Sequence, residues 1–100
     1  VVIFQNCTIG IDVHIGNHVI ILPNSVIQHN SYIEDFSCIG AGVVVSGNVN
    51  IKGSCYIGSG AVIRDGVTIG ENALIGMGSV VVKNVTANKI AMGVPAREKQ

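Results

Sequence analysis

An isoleucine or a valine returns at every sixth residue of this chain, without an insertion or a gap. These fourteen residues, called the inner positions, are Ile3, Ile9, Ile15, Ile21, Ile27, Ile33, Ile39, Val45, Ile51, Ile57, Ile63, Ile69, Ile75 and Val81. A fixed short period over most of a chain is the signature of a repeat architecture, in which each unit buries its apolar face against its neighbours. The period therefore predicts a stack of short, equivalent elements.

The residues around each inner position repeat with the same period. Two residues earlier the side chain is always Val, Ala, Ser or Cys, and side chains two apart in a strand share one face. Three residues later, at what we call the corner positions, eleven of fourteen residues are Asn, Asp or Gly, which tolerate the positive φ of a tight corner. The exceptions are His18, Phe36 and Ser54. Each repeat is therefore one inward-packed strand followed by a corner.

Three such sides make an 18-residue coil, and fourteen repeats make about four and two-thirds coils that stack about 4.8 Å apart through parallel ladders. The sequence predicts an all-β fold, a parallel β-helix over residues 1–82. Residues 83–100, with the turn-like Gly93-Val94-Pro95, are predicted to form a C-terminal cap. Parallel crossovers are usually right-handed, and the spacing alone does not give the hand.

Composition excludes several functional classes. One hundred residues suffice for one domain, and a net charge of zero leaves no basic stripe for nucleic acid. No apolar run approaches the roughly 20 residues that span a bilayer. The chain opens with no charged and apolar leader, so we expect a cytoplasmic protein. Three widely spaced cysteines without a CxxC pair are expected to be reduced thiols that serve as small hydrophobes.

Residues eighteen apart should lie above one another, which converts the sequence into three outward-facing columns. The first column is Val2, Ile20, Cys38, Tyr56, Leu74, Met92; the second is Thr8, Val26, Val44, Val62, Val80; the third is His14, Tyr32, Asn50, Thr68, Thr86. Two of these sides are apolar and one is polar. A long exposed apolar stripe marks an interface, so we expect a homotrimer. The alternative is that the rest of a longer chain covers one side.

Three histidines are candidates for chemistry. His14 is expected to be a solvated residue of the polar side, and His18 a structural corner residue. His29 lies two residues after Ile27, at the rim of the predicted interface, and Gly47 follows it one coil later. A histidine beside a cleft can act as a general base, and a neighbouring glycine leaves a backbone N–H open to a reacting oxygen. Stacking alone leaves open whether His29 is functional or a plain surface corner.

A metal site is not predicted. Zinc needs three or four converging ligands, and His14 and His18 straddle one corner instead of sharing a face.

Several stretches resemble one family. They are Ile27-Gln28-His29-Asn30, Ile33-Glu34-Asp35-Phe36-Ser37-Cys38, Gly47-Asn48-Val49, Gly76-Met77-Gly78-Ser79-Val80-Val81 and Gly93-Val94-Pro95-Ala96-Arg97. The hexapeptides resemble bacterial transferases of the left-handed β-helix class. Together with the His-then-Gly pair eighteen residues apart, they resemble the sialic-acid O-acetyltransferase-like (NeuD/PglD) sugar acyltransferases over almost the whole chain. The resemblance implies a left-handed coil.

The resemblance also implies an activity and a site. Acetyl-CoA would donate its acetyl group to a sugar, often an amino sugar carried on a nucleotide. The residue matching the family base is His29, and the N–H matching Gly47 would hold the thioester carbonyl. Pantetheine would lie in a groove between subunits, along the N–H groups of Ser59 and Met77, which stacking also places in one column.

Two residues depart from the family pattern. The family often has an acidic residue after the histidine, where this chain has Asn30, which can orient the ring but cannot neutralise its charge. Some members carry a second histidine where Cys38 stands; Cys38 could line the groove or simply pack at the interface. Members also usually carry an amino-terminal βαβ domain that binds the sugar nucleotide, whereas this chain starts inside the repeat. Either it is a fragment or it recognises its acceptor otherwise, and in both cases this sequence lacks most of the acceptor pocket that the resemblance implies.

The sequence thus predicts an acetyl-CoA-dependent sugar acetyltransferase with no metal. It leaves open N- or O-acetylation, a non-sugar acceptor such as serine, and a non-catalytic β-helical trimerisation scaffold.

Overall fold

The chain winds into a left-handed parallel β-helix, as predicted. The computed structural model describes residues 1–99, so Gln100, the last residue of the predicted cap, lies outside it. The strands are β1 Val2–Ile3, β2 Thr8–Ile9, β3 His14–Ile15, β4 Ile20–Ile21, β5 Val26–Ile27, β6 Tyr32–Ile33, β7 Cys38–Ile39, β8 Val44–Val45, β9 Asn50–Ile51, β10 Tyr56–Ile57, β11 Val62–Ile63, β12 Thr68–Ile69, β13 Leu74–Ile75, β14 Val80–Val81, β15 Ile90–Gly93 and β16 Ala96–Glu98. Residues 1–99 contain no helix that could cross a membrane.

Every third strand belongs to the same sheet, which gives the prism three sides. The first side is β1-β4-β7-β10-β13-β15-β16, the second is β2-β5-β8-β11-β14, and the third is β3-β6-β9-β12. Parallel partners are eighteen residues apart, as where Val26 pairs with Val44 and Val44 with the β11 residue Val62. The predicted columns are therefore confirmed over the first four coils.

The corners have the backbone conformation that their residue types suggest. Every corner position except Asn84 has a positive φ, between 57° and 79°. His18, Phe36 and Ser54, the three that are not Asn, Asp or Gly, adopt it as well, at 58°, 65° and 58°. The repeat thus imposes a left-handed corner even on side chains that disfavour it.

The core consists of the two inward-facing residues that the period predicts for each repeat. From Val19 to Val81 the inner positions and the residues two before them are all buried. Four serines, Ser25, Ser31, Ser37 and Ser79, stand two residues before an inner position, and each hydroxyl is hydrogen-bonded. Ser31 Oγ, for example, donates to the Ser46 carbonyl at 2.7 Å and accepts from the Val49 N–H at 3.1 Å. A small polar residue is therefore tolerated there because it bridges two coils.

The last coil is two residues shorter than the others. Ile90 pairs with Leu74, and Val85 pairs with Ile69, so both partners are sixteen residues apart. The predictions that Thr86 and Met92 would continue their columns are therefore wrong. The Asn84 side chain explains the difference, because its Oδ1 accepts the Thr68 N–H at 2.8 Å, in the place of a backbone carbonyl.

β15 and β16 form a hairpin that extends the sheet of the first side. β16 runs antiparallel to β15, with Met92 opposite Arg97. The Glu98 carboxylate accepts the Thr86 N–H at 2.7 Å, and this hydrogen bond lowers the pKa of the carboxyl. Winding thus continues past Val82 as far as β15, and the division of the chain after residue 82 remains a proposal.

Candidate active site

His29 occupies the corner between the second and third sides, directly after β5. Its side chain is exposed, and its Nδ1 lies 3.2 Å from Oδ1 of Asn30. Asn30 is a corner residue with a φ of 59°, which turns its amide back toward the ring. Where that amide oxygen accepts a hydrogen bond from Nδ1–H, the other nitrogen, Nε2, keeps a free lone pair. In that tautomer, Nε2 is the basic atom of the ring.

Gly47 lies one coil beyond His29 and gives its ring room. A β-carbon at Gly47 would lie 2.5 Å from Nε2 and 2.6 Å from Cε1 of His29, closer than any van der Waals contact allows. The coils are in register here, because Asn48 N–H donates to the His29 carbonyl at 2.9 Å. The Gly47 N–H has no acceptor among residues 1–99. A basic nitrogen and an open backbone donor thus stand side by side.

Ser59 and Met77 occupy the corner between the first and second sides, one coil apart. Gly78 N–H donates to the Ser59 carbonyl at 2.9 Å, which fixes their stacking. Their own N–H groups donate no hydrogen bond within residues 1–99. Glycines uncover both amides: a β-carbon at Gly40 would lie 2.6 Å from Ser59 N, and one at Gly58 would lie 2.5 Å from Met77 N. This corner therefore offers a line of open amide donors, which suits a ligand with amide carbonyls.

Within one chain, these two groups of residues do not come together. The His29 corner and the Ser59 corner lie at opposite edges of the second side, whose outward residues are Thr8, Val26, Val44, Val62 and Val80.

Cys38 lies on the first side, between Ile20 and Tyr56 in neighbouring coils. It is half-buried, and burial raises the pKa of its thiol. At neutral pH the thiol is therefore uncharged, and Cys38 can contact a ligand on this side but is a poor nucleophile.

The other two histidines stack on aromatic rings away from His29. His14 lies against Tyr32 with ring centroids 4.4 Å apart, and His18 lies against Phe36 at 5.1 Å. No group of three or more His, Cys, Asp or Glu side chains that could hold a metal ion occurs among residues 1–99.

A cavity of about 740 Å³ lies beside these stacked rings and not at His29. It is an open depression whose acidic groups are partly engaged: Asp35 accepts the Asn17 N–H at 2.8 Å, and Glu34 pairs with Lys52 at 3.5 Å. The His29 corner instead combines an imidazole with a backbone N–H that has no acceptor within residues 1–99.

Two features of the site were missed from the sequence. Gly40 and Gly58 expose the amides of Ser59 and Met77, and each stands nineteen residues before the amide that it uncovers. The sequence signal for these open amides is a glycine directly after an inner position, as at Gly40, Gly58 and Gly76.

Comparison with known proteins identifies the repeat. The model of the family "Bacterial transferase hexapeptide (six repeats)" matches residues 12–47 and 48–85. A search of curated proteins by sequence returned no match.

Solved structures share the fold. A variant of perosamine N-acetyltransferase from Caulobacter crescentus, in complex with CoA and GDP-perosamine, is 25% identical with a TM-score of 0.83, over 100% of this chain and 57% of that one. Galactoside acetyltransferase in complex with coenzyme A is 26% identical with a TM-score of 0.80, over 99% and 64%. WeeI from Acinetobacter baumannii AYE is 30% identical with a TM-score of 0.70, over 95% and 56%. The chain thus spans less than two thirds of each of these proteins.

Proposed function

The chain belongs to the bacterial transferase hexapeptide family, and from that premise we propose that it forms the β-helical part of an acetyl-CoA-dependent sugar acetyltransferase. The observation that carries this proposal is the pairing of the His29 ring with the open N–H of Gly47. The perosamine N-acetyltransferase, galactoside acetyltransferase and WeeI structures support the reaction class. The complex with CoA and GDP-perosamine favours a nucleotide-linked amino sugar as the acceptor.

In the proposed reaction, the acceptor nitrogen or oxygen attacks the thioester carbonyl of acetyl-CoA. His29 Nε2 removes the proton from the acceptor, and the Gly47 N–H stabilises the negative charge on the carbonyl oxygen. The tetrahedral intermediate then collapses, the C–S bond breaks, and CoA leaves as the thiol after taking up that proton. A positioned base contributes about 10²–10⁴-fold, and one oxyanion donor about 10²–10³-fold.

The active site is proposed to form between subunits of a homotrimer. The second side is lined by valines, and a threefold axis facing it would set the Ser59 corner of one subunit beside the His29 corner of the next. Pantetheine would lie along Ser59 and Met77, with Cys38 lining the same groove. Asn30 is proposed to orient His29. The three free cysteines fit a reducing compartment, and we place the enzyme in the cytoplasm, in glycan synthesis.

His29→Ala in the intact protein tests the mechanism. With acetyl-CoA and GDP-perosamine or other nucleotide-linked amino sugars, release of the CoA thiol should fall by at least about 10²-fold, while CoA binding measured by calorimetry persists. His14→Ala, on the third side, is the matched control and should keep the parent rate.

Unchanged transfer by His29→Ala would show that the base is wrongly assigned. If the parent protein is trimeric but does not bind CoA, the chain is a scaffold and not an enzyme. Transfer only to a non-sugar acceptor such as serine would overturn the sugar assignment and leave the base intact.

A further inference from the structure

The amides two residues after the inner positions are not used by the ladders, and the next coil caps two of them. Asn17 N–H donates to Asp35 Oδ1 at 2.8 Å, and Ala41 N–H donates to Ser59 Oγ at 3.2 Å. In both cases the capping residue stands eighteen residues after the capped amide. A short acceptor side chain at this position can therefore close the amide of the preceding coil.

Both capped amides directly follow a glycine. Asn17 follows Gly16, and Ala41 follows Gly40. The Gly16 case shows why, because a β-carbon there would clash with Asp35 Oδ1. The carboxylate thus occupies the space over residue 16 to reach the amide, and a β-carbon at that residue would have to displace it.

Gly47 has a potential cap of the same kind in Asp65. Asp65 stands eighteen residues after Gly47, and the Gly66 N–H donates to the Gly47 carbonyl at 3.1 Å, so the two coils are in register. Within residues 1–99, however, the Gly47 N–H stays open. The residue before Gly47 is Ser46, which has a β-carbon where the capped amides have none.

We infer that the β-carbon of Ser46 keeps the Asp65 carboxylate away from the Gly47 N–H and so holds that amide open for the thioester oxygen. Ser46 is thus a positioning residue, and the inference rests on the proposed function. A second residue pair agrees with it: Glu71 stands eighteen residues after Gly53, Lys52 precedes Gly53, and the Gly53 N–H is uncapped.

Without that β-carbon, the Asp65 carboxylate would inhibit the proposed reaction. A carboxylate on the Gly47 N–H would occupy the donor that the carbonyl oxygen needs. It would also place a negative charge where the reaction develops another.

The test compares three variants of the intact protein. Ser46→Gly should lower kcat/KM for acetyl-CoA by about 10²-fold, the loss expected when one oxyanion donor is removed. Ser46→Ala, which keeps the β-carbon, should not show this loss. Ser46→Gly with Asp65→Ala should recover most of it, because the cap is then absent. If the double variant is as impaired as Ser46→Gly, the inference is wrong.

An NMR measurement separates this inference from the proposed function. In Ser46→Gly the Gly47 amide proton should exchange more slowly with solvent and move downfield, relative to Ser46→Ala and to the double variant. A Gly47 amide with the same exchange in all three would overturn the inference whether or not the protein is active. If the Gly47 amide exchanges slowly in Ser46→Gly but the parent protein has no acetyltransferase activity, the inference about the Asp65 cap stands. Only the proposed function is then refuted.

Discussion

The imidazole of His29 fills the space that a side chain at Gly47 would need, with Nε2 2.5 Å from the position of the absent β-carbon. The two residues are eighteen apart in sequence and neighbours in space. The same glycine thus makes room for the imidazole and leaves its own N–H without an acceptor among residues 1–99.

Gly47→Ala should therefore displace the imidazole and impair acetyl transfer without unfolding the protein. Gly47 is not among the positive-φ residues, so alanine fits the backbone there. We expect kcat/KM to fall by about 10²-fold or more, because the base is misplaced. Gly53→Ala is the control: it occupies the equivalent place at another corner, and its β-carbon would only approach Asp35 O at 3.3 Å. Equal activities of the two variants would contradict the role of the contact.

Asn30→Gly should reduce turnover by roughly tenfold, less than the about 10²–10⁴-fold that loss of a positioned base costs, because the base itself remains. Glycine keeps the positive φ of this corner at no steric cost, so the change removes only the amide oxygen that orients Nδ1–H. The measured quantity is kcat with saturating acetyl-CoA. Asn48→Gly, the corner residue one coil further, is the comparison and should have a smaller effect. A larger loss there would mean that Asn30 does not position the ring.

Val62→Lys should dissociate the proposed trimer. Val62 is on the second side and 37% exposed, and a charge buried in an apolar interface costs several kcal/mol. Analytical ultracentrifugation should give the parent a mass about three times that of one chain, and the variant the mass of one. Thr68→Lys, on the polar third side, should leave the trimer intact. A parent that sediments as a monomer would rule out the assembly.

Stability should fall at alkaline pH in a way that depends on Cys55. Its thiol is 2% exposed, and burial raises its pKa above the ordinary value of 9.0. The unfolded chain therefore loses this proton first. The stability that the neutral thiol gives is fully present below pH 9.0 and is lost as the pH rises through the folded pKa, by up to about 1.4 kcal/mol per pH unit.

Urea unfolding at several pH values measures that slope. Cys55→Ala should flatten it, whereas Cys7→Ala, at the equivalent position of a repeat on the second side, should keep the slope of the parent. Identical slopes for both variants would show that other groups set the alkaline limit.

Most of the fold could be predicted because the six-residue period determines the structure of every repeat. The core columns, the corners and the eighteen-residue register all follow from six-residue spacing, and the register places His29 over Gly47. The last coil could not be predicted in this way, because the Asn84 side chain replaces a backbone acceptor there and shortens the coil.

The site was partly predictable for the same reason. The spacing predicts which residues stack on one another, but it does not predict the rotamer of a side chain. The turn of the His29 ring toward Gly47, its contact with Asn30 and the openness of the Ser59 and Met77 amides depend on rotamers and on which neighbours lack a β-carbon.

The antiparallel pairing of β16 with β15 also changes the edge that the first side presents to other molecules. A stack of parallel coils ends in unpaired strand edges, onto which another molecule could add its own coils and begin a fibre. On the first side that edge is occupied by a strand that runs the opposite way, so an incoming copy cannot continue the ladder in register. Removal of residues 96–99 would expose it, and the hairpin can thus be seen as protection against end-to-end polymerisation.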